Sequence, residues 1–156
     1  MIAVPGYYTE AALICRQARE LGLTSIFIGG DGWEAPQLTE LGGPAVEGAY
    51  YSTGFSADNS APAVRDFVRR FRHRWDNTDP DSTAALGYDA MMLYADAIRR
   101  AGTTDRAALR AALAATRDFA GVTGRITIDK DRNATKSAVM MRVAAGRTEF
   151  VETVEP

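Results

Sequence analysis

The chain has 156 residues, 46% of them hydrophobic, enough for one ordinary domain with a buried core. Its 18 Lys and Arg against 20 Asp and Glu give a net charge of −2, which offers no global attraction for nucleic acid or anionic membrane, so neither is favoured as a partner. A single cysteine, Cys15, rules out an internal disulfide and any thiolate metal cage. The N-terminal residues Met1 to Gly6 carry no basic segment or long apolar run, so they do not read as a signal peptide. No stretch approaches the roughly 18 continuous apolar residues of a membrane-spanning helix.

Residues 2–4 are an apolar run stopped by Pro5-Gly6, the pattern of a strand entering a loop. Ala11, Ile14, Ala18 and Leu21 then recur at helical spacing, with Thr9 as a candidate N-cap and Gly22 as the stop, which predicts a helix over 9–21. Cys15 lies inside that pattern and reads as a buried structural thiol. Residues 25–28 are β-rich and end at Gly29-Gly30, making 2–30 a strand, helix, strand unit of the parallel kind. A short helix is expected over 36–41, closed by Gly42-Gly43, followed by an aromatic-rich strand over 46–55 and a crossover or linker through 56–62.

Val64, Phe67, Val68, Phe71 and Trp75 mark one face of the next helix, whose other face carries Arg65, Arg69, Arg72 and Arg74. Asp66, Asp76, Asp79 and Asp81 lie close by, so this basic run reads as a solvated face rather than a nucleic-acid surface. Beyond Pro80 a helix over 83–101 is apolar nearly all the way round, and such a helix is expected to be buried. Thr104 or Asp105 can cap a further helix over 106–116. Strands are predicted over 125–128, 138–143 and 148–151, the last two joined as a hairpin through Ala144-Ala145-Gly146-Arg147. The fold class is α/β: βαβ layers with a C-terminal β-hairpin.

Two segments hold more chemistry than a scaffold needs, Gly6-Tyr7-Tyr8 and Gly29-Gly30-Asp31-Gly32-Trp33. Both follow predicted strands, and α/β folds bind ligands in loops beyond the carboxyl ends of their strands. Asp31 between glycines lets a ligand approach closely and suits an ammonium or amide N–H donor, while Tyr7 can wall a pocket. The same glycine-rich run also makes a tight turn, with Asp31 bonding its own backbone.

Enzyme signatures are lacking. The one histidine, His73, sits between Arg72 and Arg74, and there is no nucleophile elbow, phosphate loop or dinucleotide fingerprint. Asp129, Asp131 and Asn133 alternate as in a calcium loop, but Ala134 stands at its glycine and Met140 at its terminal acid, so the run reads as a polar turn. No metal or cofactor is expected.

The ordered motifs Gly6-Tyr7-Tyr8-Thr9-Glu10-Ala11-Ala12, Arg16-Gln17-Ala18-Arg19-Glu20-Leu21-Gly22-Leu23 and Gly29-Gly30-Asp31-Gly32-Trp33 resemble the leucine/isoleucine/valine-binding family of periplasmic, type I solute-binding proteins of ABC transporters. Glu47-Gly48-Ala49-Tyr50-Tyr51, Leu86-Gly87-Tyr88-Asp89-Ala90 and the run from Gly121 to Asp129 resemble the same family in the same order, and the part resembled is its C-terminal half.

The resemblance implies flavodoxin-like or Rossmann-like lobes, incomplete here: 1–52 from the second ligand-binding lobe, 53–130 as hinge crossover and first-lobe helices, and 131–156 as return strand and hairpin. It implies that Tyr7 lines a small amino acid or amide and that Asp31 holds its α-ammonium group, with Tyr8 and Trp33 as neighbours. Thr83 falls where many relatives carry an aromatic that covers the ligand from the other lobe, a departure that argues against strict selectivity for hydrophobic amino acids.

The family's first half, with the loops that hold the ligand carboxylate, is not among these residues. The expected function is therefore that of a solute-binding fragment of an ABC importer, with a permease as partner in the full-length context, a periplasmic or extracellular location, and self-association of the isolated chain as a homo-oligomer. Two other readings compete: a repacked α/β oligomerisation or interaction module that binds no solute, and a small α/β enzyme.

Overall fold

β1 (Ile2–Ala3), α1 (Tyr8–Glu20) and β2 (Phe27–Gly29) form the βαβ unit predicted from the opening residues. The strands run parallel, with Ile2 beside Phe27 and Ala3 beside Ile28, in a computed structural model that describes residues 1–156. The helix buries Ala11, Ala12 and Cys15, small side chains at a spacing that lets it lie close to the sheet. Thr9 does not cap it. Gly6, at φ +142, turns the chain so that Tyr7 takes the extended N-cap position without a side-chain cap bond, and Tyr7 O accepts from Ala11 N–H at 3.0 Å.

α2 (Pro36–Gly42) begins at a proline, whose fixed φ and missing N–H suit the first turn of a helix. The strand predicted from residue 46 starts later, as β3 (Tyr50–Thr53), because residues 43–46 form a 3-10 turn and Gly48 takes φ +74. β3 runs parallel to β2, with Ile28 beside Tyr50 and Gly29 beside Tyr51. Its other edge takes β7 (Ala138–Ala144), antiparallel, and β8 (Arg147–Val154) completes the order β1-β2-β3-β7-β8. The core under this sheet gathers Val4, Phe27, Trp33, Leu38, Val46, Tyr51, Met141 and Val143.

The β7–β8 hairpin turns on Ala145 and Gly146, both at positive φ, +52 and +74, as a two-residue turn matched to strand twist requires. Glu47 receives both turn N–H groups, from Ala145 at 3.1 Å and from Gly146 at 2.6 Å. Alanine pays a steric cost in the left-handed region that asparagine largely escapes. Ala145→Asn is therefore expected to raise stability by about 0.5–1 kcal/mol, read as a higher urea midpoint; an unchanged or lower midpoint would count against that turn geometry.

Two compact units divide the chain, Met1–Asp58 with Ala138–Val154, and Asn59–Ser137 with Glu155–Pro156. The breaks thus fall after residues 58, 137 and 154. The second unit holds α3 (Pro62–Arg74), α4 (Ser82–Ala101) and α5 (Arg106–Ala114), then β4 (Phe119–Gly121), β5 (Gly124–Ile128) and β6 (Ala134–Thr135) in a small antiparallel sheet. Phe67 of α3 meets Tyr88 of α4 with ring centroids 4.9 Å apart. Arg100 of α4 donates to Ala112 O at 2.7 Å and to Thr116 Oγ1 at 2.9 Å, tying α4 to the end of α5. Of the two candidate caps, Asp105 serves, accepting from Ala107 and Ala108 N–H at 3.0 Å.

The α/β class read from the sequence is the class observed, but α4 is not buried all round. Ser82, Ala85, Asp89, Leu93 and Ala97 form one narrow buried stripe. Leu86, Met91 and Tyr94 lie open on other sides of the helix, Met91 at 67% exposure. The basic run on α3 is a solvated face: Arg69 and Arg70 pair with Asp66, and Arg72 with Asp79.

Candidate functional site

Both candidate loops leave the carboxyl ends of neighbouring parallel strands, and they touch. A Cβ placed on Gly32 would stand 2.7 Å from Gly6 O and 3.2 Å from Tyr7 Cδ1, so only a glycine lets the second loop lie against the first. Tyr7 is 71% exposed at the head of α1, and Asp31 is exposed at the first position of a 3-10 turn, Asp31–Trp33. In that turn Gly30 O accepts from Trp33 N–H and Asp31 O from Glu34 N–H, each at 3.0 Å. The Asp31 carboxylate is thus presented to solvent by a backbone locked from beneath.

The lock is Trp33. Its side chain is 0% exposed, its indole N–H donates to Val4 O at 3.1 Å, and its ring lies so close over Gly29 that a Cβ there would be 2.2 Å away. Of the aromatics named beside Asp31, Trp33 therefore offers no surface to a ligand and serves as the floor of the loop. Tyr8 is half-buried at the start of α1 and packs on the core. Thr83 is exposed in the first turn of α4, in the second unit, where Asp81 caps the helix by accepting from Ala84 N–H at 2.7 Å.

Sequence reasoning missed a polar group beneath the loop. Glu34 accepts a hydrogen bond from the hydroxyl of Thr53, the last residue of β3. Nearby, Tyr51 is buried, and burial pushes its hydroxyl up to about 12; a hydrogen bond with Thr148 works the other way, and the Glu34 carboxylate adds to the rise. Glu34 and Thr53 are 19 residues apart in sequence and meet only through the parallel pairing of β2 with β3.

Elsewhere the chemistry is structural. Burial pushes the Cys15 thiol up, against the pull of Arg19. Asp129 Oδ1 accepts from Asp131 and Asn133 N–H, both at 2.8 Å, and these backbone donors, Asn133 foremost, hold its carboxyl below the usual range. The alternating acids there close the turn between β5 and β6. A surface depression of about 390 Å³ is lined by Arg16, Arg19, Glu20, Gly42, Pro44 and Ala45, none of them from the two loops.

Residues 3–148 match the family model for periplasmic binding proteins. The chain belongs to this family. Proteins similar to it include the Leu/Ile/Val-binding protein homolog 1 of Brucella suis, 32% identical over 125 residues, which are 80% of this chain and 33% of that protein. The leucine-, isoleucine-, valine-, threonine- and alanine-binding protein of Pseudomonas aeruginosa is 31% identical over 128 residues, again 80% and 33%.

Among solved structures, the leucine-binding protein LivK of Thermotoga maritima superposes with a TM-score of 0.88 at 42% identity, over 99% of this chain and 44% of that one. LivJ of Streptococcus pneumoniae, solved with isoleucine, gives 0.81 at 37% identity over the same shares. The chain thus spans about a third of the curated relatives' length and under half of the solved chains. The family is one of transport binding proteins rather than enzymes. No helix here is long and apolar enough to cross a membrane.

Proposed function

We propose that the chain is the C-terminal half of a solute-binding component of an ABC importer for branched-chain or related small amino acids and amides, acting in the periplasm or outside the cell. The observation that carries this is the contact between the Gly6-Tyr7 and Gly30–Trp33 loops at the carboxyl edge of parallel strands, in a chain of this family. Unit one would supply part of the second ligand-binding lobe. Unit two would supply the hinge crossover and first-lobe helices. Asp31 would accept the solute's ammonium group and Tyr7 would wall it; a membrane permease would be the partner of the full-length protein.

In the full-length context, Asp31→Ala is expected to weaken amino-acid binding at least about thirtyfold, because the buried cation loses its partner. Titration calorimetry with amino acids and neutral amides reads this directly. Unchanged affinity for every ligand that binds would remove Asp31 from the site.

The isolated chain is expected to bind such solutes weakly or not at all and to self-associate, the open apolar face of α4 around Met91 and Tyr94 pairing with a second copy about a two-fold axis. Light scattering over a concentration series checks this. A compact monomer at high concentration that holds leucine with micromolar affinity would overturn both statements and support a free-standing binding module instead.

A further inference from the structure

We propose that Glu34 is a positioning residue that fastens the Asp31 loop to the strand end where the chain leaves the first unit after β3 and re-enters it at β7. Glu34 ends the 3-10 turn that presents Asp31, its N–H donating to Asp31 O at 3.0 Å, and its carboxylate accepts a hydrogen bond from the hydroxyl of Thr53. Thr53 is 5% exposed and is the last residue of β3, from which residues 54–58 lead out of the first unit. The chain re-enters that unit at Ala138, the first residue of β7, and in the β3–β7 pairing Thr53 lies opposite Val139. Outgoing and returning connections therefore leave adjacent strands at one end of the sheet, and the residue at that end is the one Glu34 holds.

A hydroxyl-to-carboxyl hydrogen bond is among the stronger side-chain bonds, and this one is part-buried. Trp33 fixes the loop from below and Gly32 rests on Gly6, so the loop has few ways to shift without pulling on Glu34. Movement of the Asp31 loop is in this way transmitted to β3 at the point where it becomes a connection. The inference rests on the binding reading only for what occupies the loop; the mechanical link stands in the empty chain.

Hydrogen exchange read by mass spectrometry on the whole chain without solute tests it, so failure of amino-acid binding leaves the measurement intact. Glu34→Ala and Thr53→Val are expected to speed exchange about tenfold in residues 31–34 and 54–58 together, while residues 10–20 of α1 stay unchanged. Thr53→Ser keeps the hydroxyl and should stay within about twofold of the wild type. Acceleration confined to 31–34, or Thr53→Ser exchanging as fast as Thr53→Val, overturns the proposal, since either would make the bond a local packing contact.

Discussion

Trp33→Ala is expected to destabilise the first unit by about 3–5 kcal/mol, in the range of large-to-small changes at fully buried aromatics. The indole fills the space over Gly29, and its N–H satisfies Val4 O, so alanine leaves both a cavity and a carbonyl without that donor. Val4 N–H donates to Ile28 O at 2.9 Å, and the damage would therefore reach the β1–β2 edge from which both candidate loops spring. Trp33→Phe keeps most of the buried area and loses the hydrogen bond, which should cost about 1–2 kcal/mol. Urea unfolding followed by far-UV circular dichroism separates the two. A loss under about 1 kcal/mol for the alanine variant would show that the ring is not what holds the loop.

The same residue shows where sequence legibility ended. An aromatic inside a glycine-rich loop reads equally as a ligand wall or as a core anchor, and what decides for the core is Gly29, whose missing side chain admits the ring. The βαβ opening was legible because helical spacing, Pro5-Gly6 and Gly29-Gly30 all agree on the same boundaries, and parallel pairing then brings the two loops together. Thr9 misled as a cap because the sharp turn at Gly6 starts the helix earlier. For α4, periodicity reports which residues are apolar, whereas burial depends on what packs against each face, and only one stripe is fully buried.

β4 and β6 are three and two residues long, too short for alternation to register, and they exist through pairing with β5. Glu34 left no trace in sequence at all. Its partner belongs to a neighbouring strand, and only the β2–β3 register makes them meet.

Asp89→Ala is expected to cost the second unit about 3–5 kcal/mol, the usual consequence of emptying one side of a buried, charge-assisted network. Asp89 is 2% exposed on the buried stripe of α4, and its two oxygens receive Val122 N–H at 2.8 Å, Thr123 N–H at 2.8 Å and the Thr123 hydroxyl at 2.7 Å. These donors lie in the turn between β4 and β5, so one carboxylate holds the small sheet to the helix. Gly121 leaves it room, since a Cβ there would stand 2.5 Å from Asp89 Oδ2.

Alanine would leave three donors without this acceptor, and it would remove the anion that favours the charged form of Lys136, whose ammonium is already pushed down by burial. Asp89→Asn retains one acceptor oxygen but turns an amide N–H₂ toward a backbone donor, for about 1–3 kcal/mol. Thr123→Val deletes only the hydroxyl and should cost about 1 kcal/mol. The graded order, alanine above asparagine above Thr123→Val, is read from urea unfolding together with hydrogen exchange over residues 119–128. Equal losses for the alanine and asparagine variants would mean that helix packing, and not acceptance by the carboxylate, fixes this turn.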